Sequence, residues 1–348
     1  MELYIASNNG EIGGGEVMLL HLARAARSLG HQITVIGPAQ PAELIEAARD
    51  EGFSTITIPA QNRKAYMAGL GLWRTRNREK LLWCNGLLPS LATAGDKNRI
   101  VHLHQLPSGL QSYALRLARR GAAKVLVPSH YVAARVKDSL AFENWVAELP
   151  RAARLQTDQK QIRLGFLGRP SLIKGTHTLA RAVETLNNRG GYRVQLVIGG
   201  EAKFIDQKSS HQLEESLSKL GKDVTLLGWV EPEELFAQTD ILVVPSEAEE
   251  SFGLVAAEAM SAQQPLIISH AGALPEVLGE DYPWVFSPGN VEELVQKITE
   301  LLDHRRNNVE AFEAQLSSAY WRWYENYSPE AGRERLRLLL EPFERSQA

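Results

Sequence analysis

A single cysteine, Cys84, stands among 348 residues. No disulfide can therefore close within the chain, and a reducing compartment is the expected setting. Long hydrophobic runs are also missing. No stretch of about 18 apolar residues is available to span a bilayer as a helix. The start, MELYIASNNG, lacks the basic residues and long apolar segment of a secretory signal, so a cytoplasmic location is expected. Positive charge is not in surplus: the formal net charge is −3, which argues against a nucleic-acid partner.

What is present is an ordinary globular composition, 44% hydrophobic and 23% charged, in a chain long enough for two domains. Short apolar runs alternate with helical patterns. The first series of predicted strands is LYIAS (3–7), ITVIG (33–37), TITI (55–58), LLWC (81–84), IVHLH (100–104) and KVLVP (124–128). A polar stretch within 141–161 reads as a linker. The second series is IRLGFLG (162–168), VQLVIGG (194–200), VTLLG (224–228), ILVVPS (241–246) and LIIS (266–269). Strand–helix alternation predicts parallel sheets covered by helices on both faces. The predicted division is 1–150, 151–325 and a C-terminal helix over 326–348 that packs back on the first domain. Ser328 is the expected N-cap of that helix and Pro329 its first residue. Ligands of such sheets bind at the carboxyl ends of the strands, and the cleft between two domains is the default site.

Three segments could carry chemistry. SNNGEIGGGEVMLL follows the first strand and opens the first helix. Gly13, Gly14 and Gly15 permit close backbone approach, and a helix N-terminus favours an anion. A tight structural turn is the alternative. The loop does not fit G-x-G-x-x-G, and strand two ends in Gly37-Pro38 rather than an acid, so a nicotinamide cofactor is not expected. GRPSLIKG sets Arg169 and Lys174 at the carboxyl end of a strand, where one fork-shaped and one point charge suit a diphosphate. Two ordinary surface bases are the alternative. In EESFGLVAAEAM, Glu250 falls in a loop and Glu258 inside an alanine-rich helix. A lone carboxylate there is unfavourable unless it is hydrogen-bonded. A ligand with hydroxyls at both ends and phosphates between them suits the pair. The alternative for Glu258 is an ion pair with a Lys or Arg inside its domain. His102 and His104 have a spacing that could suit a metal, but no third ligand is evident and no metal is expected.

These segments together resemble the retaining glycosyltransferases of family 4, which have the two-domain GT-B fold. EESFGLVAAE is similar to the family's E-x7-E motif, GRPSLIKG to its Gly-Arg…Lys-Gly segment, and SHAGALPEVLGE to its G-G-x-P-E loop, with Ala273 at the second glycine. The resemblance implies two Rossmann-like doubly wound domains facing an interdomain cleft, the first binding the acceptor and the second the nucleotide-sugar. It implies that Arg169 and Lys174 hold the donor diphosphate. Glu258 would bind the ribose hydroxyls. Glu250 would contact the donor sugar, assisted by the backbone of Ser251, Phe252, Gly253, Leu254 and Val255. Gly13, Gly14 and Gly15 would meet the phosphates or the acceptor, and His104 would lie near the transferred sugar. It further implies a UDP- or GDP-linked donor, a glycan or lipid-linked hydroxyl acceptor, and no cofactor; no D-x-D motif is present, which agrees with metal independence. The alternatives are a nucleotide-sugar epimerase, a glycogen-type phosphorylase, or a non-catalytic sugar- or nucleotide-binding module.

One further segment stands apart. Gln61 to Lys80 carries six basic residues and one acid, with Tyr66, Met67, Leu70, Leu72 and Trp73 among them. Basic and aromatic residues together can dock a helix on an anionic membrane. A solvated helix with its apolar side on the core is the alternative.

Overall fold

The computed structural model describes residues 1–152, 161–201 and 207–345, the side chains of 207–210 excepted. The end of the predicted linker, at 153–160, lies outside these residues. The chain forms two compact units.

In the first unit, seven strands make one parallel sheet. They are β1 (Glu2–Ser7), β2 (Gln32–Pro38), β3 (Ser54–Ile58), β4 (Leu81–Asn85), β5 (Arg99–His102), β6 (Lys124–Val127) and β7 (Leu140–Ala141), in the order β3-β2-β1-β4-β5-β6-β7. The helices between them are α1 (Gly14–Ser28), α2 (Glu43–Asp50), α3 (Arg63–Thr75), α4 (Leu87–Ala92), α5 (Leu110–Ala118) and α6 (His130–Ala133). Strands β1 and β4 are buried almost throughout, which is why they read as continuous apolar runs rather than alternating ones. Strand order reverses direction between β1 and β4, so their carboxyl ends mark the place where such a sheet takes a ligand.

The second unit, Val146–Ser328, repeats the plan with β8 (Gln161–Leu167), β9 (Arg193–Gly199), β10 (Val224–Gly228), β11 (Ile241–Val244), β12 (Leu266–Ser269) and β13 (Val285–Phe286). The order is β10-β9-β8-β11-β12-β13, all parallel, and the reversal lies between β8 and β11. Its helices are α7 (Thr176–Arg189), α8 (Gln207–Ser218), α9 (Pro232–Phe236), α10 (Leu254–Ser261), α11 (Leu274–Leu278), α12 (Val291–Asn307) and α13 (Val309–Tyr327). The last helix, α14 (Pro329–Arg345), belongs to the first unit. The boundaries therefore fall after Trp145 and after Ser328, where the sequence predicts 150 and 325.

Helix α14 packs along α1, and Leu336 and Leu340 join the core formed by Leu19, Leu22, Ala23 and Trp145. Gly332 sits where the helix crosses the Trp145 indole: a Cβ there would lie 2.2 Å from Cδ2 of the ring. Arg335 fixes the same crossing by donating from Nη1 to the Glu143 carbonyl at 2.7 Å and pairing with the Glu143 carboxylate at 2.8 Å. Gly332→Val must push helix or indole aside. It is expected to destabilise by about 1–3 kcal/mol, the usual range for overpacking a well-filled core. A urea midpoint lowered without a change of slope is the result to look for.

Helix α3 does not carry the surface its sequence suggested. Tyr66, Leu70 and Arg74 are buried, and of the five apolar and aromatic side chains considered above only Leu72 is largely exposed. The Arg74 guanidinium donates to the carbonyls of Asn77, Arg78, Lys80 and Asn98 and pairs with Asp96 at 3.1 Å. Its charge is spent on closing the α3–β4 loop and offers nothing to a bilayer.

Candidate active site

The second unit assembles its polar residues at the carboxyl ends of β8 and β11, the reversal point of its sheet. Backbone contacts anchor the loop after β8. Gly175, with φ 68°, lies against the Pro245 carbonyl so closely that a Cβ would come within 1.8 Å of the oxygen. Glu247 and Ala248 both donate their N–H groups to the Ile173 carbonyl, at 2.9 and 3.1 Å. The loop bearing Arg169 and Lys174 is thereby tied to the loop bearing Glu250.

The side chains complete that junction. Lys174 Nζ donates to Glu250 Oε1 at 2.5 Å, and Ser246 Oγ donates to the same oxygen at 2.5 Å. Oε2 of Glu250 has no hydrogen bond among the described residues. The backbone of Glu250 is fixed from the other side. Its carbonyl accepts from Ala273 N at 2.8 Å, and a Cβ on Gly272 (φ 61°) would lie 2.2 Å from that carbonyl oxygen. Only glycine permits this approach. Arg169 is exposed at the start of the same loop.

Helix α10 begins beside these groups. Its N-cap is Gly253, with φ 103° and no side chain to accept from the first turn. The N–H groups that open the helix are left for a ligand or solvent. One turn further on, Glu258 is part-buried, with no hydrogen bond or ion pair to its carboxylate among the described residues. The internal Lys or Arg partner considered as an alternative is not there. Burial, with a smaller contribution from the Glu231 charge, pushes the Glu258 carboxyl up to about 7.

In the first unit, the glycine loop lies beyond β1 and next to the end of β4. Helix α1 starts at Gly14 with Gly13 as its N-cap, and Glu16 turns back on it. The Glu16 carboxylate accepts from Gly13 N at 3.3 Å, Asn9 Nδ2 at 3.1 Å and Ser7 Oγ at 3.0 Å. This half of a capping box occupies part of the helix N-terminus with the chain's own anion. The N–H of Gly13 is therefore not free for a ligand, as the loop's sequence suggested. Burial raises the Glu16 carboxyl above its ordinary range. Gly13 and Gly14 are exposed, and Gly15 makes room for His104: a Cβ would lie 3.2 Å from the imidazole Cδ2.

His104 does not close a strand as its sequence suggested; β5 ends at His102 and His104 stands in the loop beyond. Its Nε2 lies 2.6 Å from Asn85 Oδ1, while Asn85 Nδ2 donates to the Gly15 carbonyl at 3.1 Å. With Oδ1 as the acceptor, Nε2 carries the proton. Burial lowers the ring to about 4, so it is neutral at pH 7 and Nδ1 keeps a lone pair; that atom is buried without a partner among the described residues. The His102 ring lies 4.3 Å from that of His104, but no group of three His, Cys, Asp or Glu side chains among the described residues could hold a metal ion.

Several polar groups of these clusters carry no signal as motifs. Asn85 joins Gly15 and His104, far from it in sequence, whereas Ser246 and Glu16 fasten loops only three to nine residues away. Asn85 and Ser246 do share one trait with Arg169: each stands at or just past the carboxyl end of a central strand. That placement is a weak signal, shared by every residue at a strand end, and it does not single out Asn85 or Ser246.

Comparison with known proteins follows the same division. Residues 12–147 match the family model described as Glycosyltransferase Family 4, and residues 161–304 match that of Glycosyl transferases group 1. The sulfoquinovosyl transferase SQD2 of Arabidopsis thaliana is 38% identical over 100 residues, 26% of this chain and 19% of that protein. The D-inositol 3-phosphate glycosyltransferase of Corynebacterium urealyticum is 34% identical over 123 residues, 34% of this chain and 29% of that protein. The chain thus spans less than a third of the length of these two relatives. Among solved structures, Anabaena HepE in complex with UDP and glucose superposes with a TM-score of 0.80 over 98% of this chain and 99% of its own, at 19% identity. That likeness is one of fold, and the fold is GT-B, with two Rossmann-like α/β domains. Together the matches support a chain of the glycosyltransferase family 4 type.

Proposed function

We propose, from a chain whose two halves match the family 4 and group 1 glycosyltransferase models, that this protein is a retaining glycosyltransferase that moves a sugar from a nucleoside-diphosphate donor to a hydroxyl acceptor. The observation that carries the reading is the arrangement at the ends of β8 and β11. A Lys174–Glu250 pair, the uncapped start of α10 and an unpartnered Glu258 lie on adjoining segments of one unit. Their order along the chain suits a nucleotide-sugar with sugar hydroxyls at one end, phosphates in the middle and a ribose diol at the other.

In this reading Glu258 accepts from the ribose hydroxyls, and Arg169, Lys174 and the first turn of α10 face the diphosphate. Glu250 uses its open Oε2 for the sugar hydroxyls, and the backbone from Ser251 to Val255, with Phe252, Gly253 and Leu254 between them, lines the path from one to the other. Gly13, Gly14 and Gly15 meet the phosphates or the acceptor, and His104, neutral and held by Asn85, serves the sugar as a hydrogen-bonding group rather than a charge. The anomeric C–O bond to phosphate breaks, an oxocarbenium-like centre develops, and the acceptor oxygen bonds to the same face. The acceptor's proton goes to the leaving phosphate. Negative charge grows on that phosphate, and the two cations with the helix terminus stabilise it, the task a metal performs elsewhere.

Calorimetric titration with UDP, GDP and ADP tests the donor half. One nucleotide should bind preferentially, and Glu258→Ala should weaken it by about ten- to a hundredfold, the loss of charge-assisted hydrogen bonds. Proton NMR of the product of a donor–acceptor screen tests the stereochemistry. Absence of nucleotide binding sinks the reading in favour of a non-catalytic module; an inverted anomer sinks the retaining assignment; a new nucleotide-sugar formed without acceptor identifies an epimerase.

A further inference from the structure

We propose that α5 is a docking face for an anionic lipid bilayer. Leu110 is 85% exposed, Tyr113 68% and Leu117 50%. They stand at i, i+3 and i+7, a single stripe along the helix, while Leu115 and Ala118 on the opposite side are buried. No other helix of the first unit leaves three large apolar side chains in the open among the described residues.

Charge argues for the occupant. Between Gln105 and Lys137 the chain has six Lys and Arg residues and no Asp or Glu. Arg119 is tied down by the Asp138 carboxylate and the Lys137 carbonyl, both at 2.6 Å. Arg116 and Arg120 remain exposed beside the stripe, Arg116 with its guanidinium 5.5 Å from the Tyr113 ring centre. An apolar stripe with an aromatic hydroxyl at its middle and cations along its flank is the composition of a helix that lies in the headgroup layer. A second copy of this chain would bring the same cations against themselves, so the charge favours an acidic lipid surface. The stripe is only three side chains long, so binding should be reversible and salt-sensitive.

The proposal is independent of the donor site, and its test needs no turnover. The full chain is floated with vesicles of phosphatidylcholine alone or mixed equally with phosphatidylglycerol. Retention is expected on the mixed vesicles at low salt, with release at high salt and none on phosphatidylcholine. Two variants should lose it: Leu110→Gln with Tyr113→Ser and Leu117→Gln, and Arg116→Gln with Arg120→Gln. The second should lower partitioning about thirtyfold, at about fivefold per basic residue. Arg76→Gln with Arg78→Gln, in the basic segment that follows α3, should bind as wild type. All substituted side chains are exposed, and unchanged circular dichroism and nucleotide affinity report that fold and donor site are intact. Equal retention of the triple variant, retention on phosphatidylcholine alone, release by the Arg76/Arg78 pair, or a concentration-dependent dimer abolished by the triple variant would each overturn it.

Discussion

Lys174→Ala is expected to lower turnover of glycosyl transfer by about 100- to 1,000-fold, the range for removing one preorganised electrostatic group from a developing oxyanion. The Lys174 side chain is 39% exposed, and its ammonium is held by Glu250 Oε1 at 2.5 Å. A ligand phosphate can therefore reach it without disturbing the pair. Charge on the leaving phosphate is larger in the transition state than in the bound donor, so the loss should fall on kcat more than on KM. Lys174→Arg should restore little, because the planar fork cannot hold the Glu250 oxygen and present a point charge in the same place. Steady-state kinetics with the best donor and acceptor decide the matter. A raised KM with unchanged kcat would reduce Lys174 to a ground-state binding group. No effect on either would remove it from the site.

That pair also shows how far a sequence can be read. The alternation of short apolar runs with helical patterns was enough for eleven strands: the central parallel strands, buried on both faces, are continuous apolar segments, and the half-exposed edge strands β3 and β10 are marked by their place in the alternation. The two-residue strands β7 and β13 are too short to have a period and left no trace. Arg169, Lys174, Glu250 and Glu258 could be selected because their spacing follows the strand–loop–helix unit. What joins them could not. Ser246 bonds to Glu250 four residues away, and Gly272 and Ala273 pin the same residue's backbone from beyond the next strand. Ala273 replaces a glycine expected from the family pattern, and the structure accommodates it: its φ is −81°, open to any residue, whereas Gly272 at 61° is not. Arg74 misled for a related reason. Its partners are mostly carbonyl oxygens, which every residue carries and no pattern of side chains reveals.

Glu258 gives the second large effect, and it divides function from stability. Ribose hydroxyls donate, so the carboxyl must be ionised to accept from both. With its pKa pushed up to about 7, nucleotide affinity should fall as pH drops below 7, by up to about tenfold per unit, and level off above pH 8. Glu258→Gln should remove that slope and bind about ten- to a hundredfold more weakly at pH 8. Stability should move the other way. A carboxyl near 7 in the folded chain and 4.5 when unfolded holds its proton longer in the fold. Stability is thus highest below the unfolded value and is lost as pH rises through the folded one, by about 3 kcal/mol at most. Glu258→Gln removes the ionisation, so its gain in thermal midpoint should be small at pH 5 and large at pH 8. Calorimetric binding and thermal unfolding across pH 5–8 measure both on one sample. A carboxylate that merely supports the fold would make the variant less stable at pH 8 and leave binding flat, whereas one retained for a ligand leaves a sturdier protein that has lost its grip on the nucleotide.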